Sequence, residues 1–121
     1  MGRPRLFDEQ QVARRVLRLV LRHGYDAVSV DDIVRGTGVG RGSLYQAFGS
    51  KAGLINKSLD LAIEEQHAER LEFAALLLAS SASDDAALRA TLARCLATFP
   101  QESLEQALGT ALLSRLQPRK G

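Results

Sequence analysis

The chain is poor in the residues that fix many other architectures. It has one cysteine, Cys95, so an internal disulfide and a cysteine-rich metal site are both excluded. It has no tryptophan, and aromatic residues make up only 5% of it. Only three prolines interrupt it, and no stretch shows the alternation of a half-buried strand. Apolar runs such as Phe73-Ala74-Ala75-Leu76-Leu77-Leu78-Ala79 fall far short of the roughly 20 residues needed to span a bilayer. The first residues, Met1-Gly2-Arg3-Pro4-Arg5-Leu6, lack the apolar core of a secretory signal, so a soluble, cytoplasmic protein is expected. No Ser/His/Asp triad, carboxylate pair or phosphate-cradling glycine loop stands out, so no enzyme, cofactor or metal site is expected.

What remains is helical. With 121 residues, 45% of them hydrophobic and 25% charged, the chain has the balance of a small globular protein. Its charge is unevenly placed: up to Lys51 there are nine Lys and Arg against five Asp and Glu, and beyond it seven against nine. A basic first part suits a polyanionic partner.

Val12, Val16 and Val20 recur every four residues beside Ala13 and Leu17, while Arg14, Arg15, Arg18 and Arg22 fill the other faces, predicting a helix from about Asp8 to His23. Gly24 ends it. Ser29, with Asp32 three residues on, marks the capping box of a short second helix that carries Val30, Ile33 and Val34 inward and stops at Gly38. A third helix over 41–48 turns Leu44 and Phe48 inward and leaves Arg41, Gly42, Ser43, Tyr45 and Gln46 outside. Ser50 then caps a long helix expected to run from Lys51 to Ala79, followed by helices over 84–98 and 101–116. The fold class is therefore all-α. Residues 1–50 form a three-helix module with a basic arm, and residues 51–121 a linking helix and about two more helices.

Two short helices joined by a tight glycine turn, behind a longer first helix, form a device for entering the major groove. The residues that carry it, Gly24-Tyr25, Ser29-Val30-Asp31-Asp32-Ile33, Gly38-Val39-Gly40-Arg41-Gly42-Ser43-Leu44-Tyr45, Phe48 and Ser50-Lys51, resemble the DNA-binding motif of the tetracycline-repressor (TetR) family over about residues 7 to 55. The resemblance implies base-edge or nearby backbone contacts for Arg41, Ser43 and Gln46, with Gly42 beside them. It implies a phosphate or thymine methyl for Tyr45, and phosphates for Lys51 and Ser29. Arg3 and Arg5 would enter the minor groove. Ser29 and Ser50 would equally serve as caps in any helical protein.

Three positions depart from the family pattern. Gly40 replaces the usual Ser or Thr cap, Ala47 replaces an aromatic residue or His, and Ala52-Gly53 replace acidic residues after Lys51.

The resemblance implies a homodimeric repressor of a near-palindromic operator. Seventy residues after Lys51 are few for that family, so the alternative is a modulator that pairs with a longer relative. The leucine stripes of the last two helices are expected to supply the dimer face. Any effector pocket is expected to be small, absent or between subunits, with Leu71, Phe73, Leu77, Leu92 and Phe99 as candidate lining or, on the plainer reading, as core. Cys95 reads as a small buried apolar residue, and His67 with Glu64 as a surface pair.

Overall fold

A computed structural model describes residues 7–114 and residue 116. Among the described residues there are seven α-helices and no strand: α1 (Glu9–His23), α2 (Val30–Thr37), α3 (Arg41–Phe48), α4 (Lys51–Glu64), α5 (Arg70–Leu78), α6 (Ala86–Leu96) and α7 (Gln101–Ser114). A 3-10 turn, Ser81–Asp84, joins α5 to α6. No helix of the described residues is long and apolar enough to cross a membrane.

Helix α1 starts where the Asp8 side chain accepts the Gln10 N–H at 2.9 Å, satisfying a donor that the helix itself leaves free. Its buried stripe is Val12, Ala13, Val16, Leu17 and Val20, the valine period read from the sequence. The stripe faces α4, which presents Leu54, Ile55, Leu59 and Ala62. Helix α5 adds Phe73, Ala74 and Leu77, and α6 adds Leu88, Leu92 and Cys95, so one apolar core runs without a break across residue 50. Fully burying a side chain such as Phe73 contributes about 1.5–3 kcal/mol, and this shared core joins the first three helices to the rest.

The expected long helix from Lys51 to Ala79 is instead two helices. Helix α4 ends at Glu64 with Glu65 as its cap, Gln66 takes a left-handed backbone with φ 51°, and α5 begins at Arg70. The Gln66 N–H bonds the Ile63 carbonyl at 3.1 Å and the His67 N–H the Ala62 carbonyl at 2.9 Å, the paired closing bonds of a helix terminus that glycine usually makes. The His67 Nδ1 accepts the Glu69 N–H at 3.0 Å and starts the next segment. Arg14 holds the break in place by a 2.5 Å ion pair with Glu65. The turn lets α5 fold back onto α1 and α4, where Phe73 is fully buried.

A second correction concerns the expected dimer face. Leu88, Leu92 and Cys95 of α6 are 0, 1 and 1% exposed, covered by this chain's own α4, α5 and 3-10 turn, while Leu96 and Phe99 of the same stripe are half-buried. Helix α7 packs on α5 through Ala75, Ala107, Leu71, Leu76 and Leu108. Its far end leaves Leu112 and Leu113 at 54% and 63% exposure.

Candidate nucleic-acid interface

The second helix is built as its sequence predicts. The Ser29 hydroxyl accepts the Asp32 N–H at 3.0 Å, and the Asp32 carboxylate accepts the Ser29 N–H at 2.8 Å. These bonds hold the Asp32 carboxyl below the usual carboxylate range, with a smaller contribution from Arg35. Gly38 closes the helix in the left-handed region, φ 76°, and donates to the Val34 carbonyl at 2.8 Å. Arg15 reaches from α1 to the Gly36 carbonyl at 3.0 Å, placing a cation where the α2 carbonyls have no helical partners. Thus α1 fixes both the position and the end of α2.

Helix α3 follows Gly40 at its N-cap, which supplies no side-chain cap. Leu44 is buried and Phe48 half-buried, which turns the opposite face outward. Arg41, Gly42, Ser43, Tyr45 and Gln46 are all exposed, Tyr45 at 41%. A Cβ built on Gly42 would meet nothing within 4 Å, so the helix surface there is open to a close approach. Arg41 forms an ion pair with Asp31 of α2, and that bond raises its pKa further above the ordinary arginine value.

The third helix joins the fourth at Gly49 and Ser50, whose hydroxyl accepts the Gly53 N–H at 2.9 Å. Gly53 looks like a missing acidic cap residue in the sequence. In the structure it is a steric necessity, because a Cβ there would lie 2.1 Å from the Phe48 carbonyl oxygen. Lys51 is half-buried: its Nζ donates to the Tyr25 carbonyl at 2.7 Å and stands 4.0 Å from the centroid of the Tyr25 ring. Burial lowers its pKa, against the pull of Asp26 and Asp32. Tyr45, Ser50 and Lys51 border a single crevice of about 10 Å³ with Val30, Leu44 and Leu54, so Tyr45 of α3 and Lys51 of α4 share one rim, which Arg41, Ser43 and Gln46 do not line.

Ser29 lies exposed at the start of α2, occupied by its cap. Arg3 and Arg5 lie outside the described residues. The five candidate lining residues separate: Phe73, Leu77 and Leu92 are shut in the core, Leu71 packs against the α5–α7 contact, and Phe99 sits at the core edge under the Arg70 guanidinium. A cavity of about 120 Å³ lies instead between α1 and α4, lined by Ala13, Arg14, Leu17, Arg18, Ser58, Leu61, Ala62, Glu65 and His67. A more open one of about 420 Å³ lies along α1 and α2, beside Leu19, His23, Ala27, Asp32, Arg35 and Gly36. Neither includes any of the five. Cys95 is buried, and burial pushes its thiol pKa up, away from the reactive thiolate. Two residues have roles that sequence reasoning missed. Tyr25 supports Lys51, and Asp31 holds Arg41; only the adjacency of Asp31 to the capping Asp32 hinted at a second acidic role.

A supporting helix, a capped short helix, a left-handed glycine turn and a second short helix with an open polar face define a helix-turn-helix module. Residues 13–57 match the family model described as "Bacterial regulatory proteins, tetR family", and the module belongs to that family. The chain is similar to the HTH-type transcriptional repressor ComR of Escherichia coli (strain K12), 38% identical over 63 residues, covering 52% of this chain and 30% of that protein. It is also similar to the HTH-type transcriptional repressor BdcR of the same organism, 44% identical over 59 residues, 49% of this chain and 30% of the relative. A third relative is the uncharacterized HTH-type transcriptional regulator YezE of Bacillus subtilis (strain 168), 33% identical over 75 residues, 60% of this chain and 39% of that protein. The chain thus spans about a third of the length of the curated relatives it matches. No solved structure matches it.

Proposed function

We propose that the protein is a transcriptional repressor that binds double-stranded DNA through α3. The observation that carries this reading is the division of α3 into a buried Leu44 side and an exposed side bearing Arg41, Ser43, Tyr45 and Gln46. Arginine and glutamine present paired hydrogen-bonding groups that suit guanine and adenine edges, and a major groove about 12 Å wide admits one such helix. Lys51 and the start of α2 at Ser29 flank it as phosphate contacts, which position the helix without reading sequence. Two of the relatives are transcriptional repressors, which supports the regulatory sense.

The acting species is a homodimer on a near-palindromic operator, since one module reaches few phosphates. Its face is α7, where Leu112 and Leu113 stand exposed. The same two leucines support a second reading, in which this chain pairs with a longer relative. Selection of bound sequences from random duplex DNA tests the first reading. A symmetric consensus with half-sites about 34 to 36 Å apart is expected. Absence of enrichment overturns it.

A further inference from the structure

We propose that the cavity between α1 and α4 binds a small monocarboxylate, its apolar tail inside and its carboxylate at the mouth against Arg18. The proposal stands apart from the DNA-binding reading. It places a ligand within one chain, away from the five residues expected from the sequence to line a pocket.

The inner wall is apolar. Ala13 and Leu17 of α1 and Leu61 and Ala62 of α4 line it, all four buried, and the two alanines leave space that larger side chains would fill. Ser58 is buried among them, but its hydroxyl donates to the Leu54 carbonyl at 3.0 Å and so has no proton to offer a ligand. A charge placed inside would be uncompensated, which restricts the inner end of a ligand to hydrocarbon.

The mouth is charged. Arg14 and Arg18 stand one turn apart on α1, opposite Glu65 and His67 from the end of α4. Arg14 is occupied by Glu65 at 2.5 Å, and that bond holds the Glu65 carboxyl below its ordinary range, so the two cancel as a closed ion pair. Arg18 lines the same mouth, exposed and with no carboxylate or carbonyl partner among the described residues. His67 accepts the Glu69 N–H on Nδ1, so its neutral ring carries a proton on Nε2 and is a second donor. The balance is one positive charge and donors only. A guanidinium can meet a carboxylate with two parallel bonds, whereas an ammonium group would be repelled.

Size sets the class of tail. An apolar cavity of about 150 Å³ accepts one benzene molecule. At about 120 Å³ this cavity suits a tail of about four or five carbons and is well below the ~300 to 1,000 Å³ of a drug-sized site.

The test titrates the full chain with sodium pentanoate, 1-pentanol and pentylammonium chloride at constant ionic strength, read by amide chemical shifts. Pentanoate is expected to saturate in the millimolar range, with shifts confined to residues 13–18 and 58–67. It should bind about 10-fold more tightly than 1-pentanol, and pentylammonium more weakly than either. Arg18→Gln, a change at an exposed position, should bring pentanoate down to the level of 1-pentanol, and Arg18→Lys should keep part of the preference. Shifts that do not saturate, or that lie outside those two segments, overturn the proposal. So does equal binding of pentanoate and 1-pentanol by wild type, or pentanoate binding unchanged by Arg18→Gln.

Discussion

Lys51 Nζ joins the first residue of α4 to the carbonyl oxygen of Tyr25, 2.7 Å away, and rests 4.0 Å from the centroid of that residue's ring. The contact ties the loop after α1 to the junction between α3 and α4. Lys51→Met should therefore cost about 1–2 kcal/mol of stability, from one hydrogen bond to a charged group and one cation–π contact. Urea unfolding measures that loss. If Lys51 contacts a phosphate as proposed, the same variant should weaken binding to all duplexes by a similar factor, because a phosphate contact reads no base.

Arg41→Ala should behave differently. A side chain directed at base edges contributes discrimination of about 1–3 kcal/mol at the bases it reads, so the variant should relax preference at one or two positions of the selected site. Binding measured against single-base substitutions of that site distinguishes this from a uniform loss.

Gly53→Ala should destabilise the protein by about 1–3 kcal/mol, the usual cost of forcing a group into filled space. The space is filled by the Phe48 carbonyl, 2.1 Å from the position of the new Cβ, so relief requires the α3–α4 junction to shift. Thermal unfolding reports the first effect, and amide chemical shifts of residues 45–54 the second.

Gln66→Gly should stabilise by about 0.5 kcal/mol, the left-handed penalty of an L-residue less the extra freedom glycine has when unfolded. Gln66→Val should do the reverse, because a β-branched side chain fits that backbone least well. These two variants, read by urea unfolding, test whether the α4–α5 break is built into the chain.

Asp32 and Glu65 both have folded-state pKa values below their ordinary ones, Asp32 chiefly from its bonds to Ser29 and Glu65 chiefly from Arg14. A depressed carboxyl contributes stability that is complete above its unfolded pKa and is lost as the pH falls through the folded value. Asp32→Asn and Glu65→Gln should thus be less stable than wild type near neutrality. Their deficit should shrink below the ordinary carboxylate range. Acid unfolding curves of the three proteins check the convergence.

Most of the reading module was legible because its signals are local. Ser29 with Asp32, Gly38 after α2 and the valine spacing of α1 each act within a few residues, and each forms as its sequence predicts. The break after α4 was not, because its left-handed residue is a glutamine, and the ion pair beside it joins Glu65 to Arg14, 51 positions away. For the same reason α6 reads as an uncovered leucine stripe: its cover comes from α4 and α5, folded back by that break. Asp31 and Tyr25 escaped notice as supports because each acts on a residue of a different element, Arg41 of α3 and Lys51 of α4.

The central claim is that the exposed face of α3 is the surface that meets DNA. Amide chemical-shift mapping of the full chain titrated with the selected duplex tests it most directly. The account predicts shifts concentrated at the start of α2, along residues 40–48 and at Ser50 and Lys51, with α7 unaffected. Shifts centred on α7, or none on α3 under conditions where the duplex binds, would contradict it.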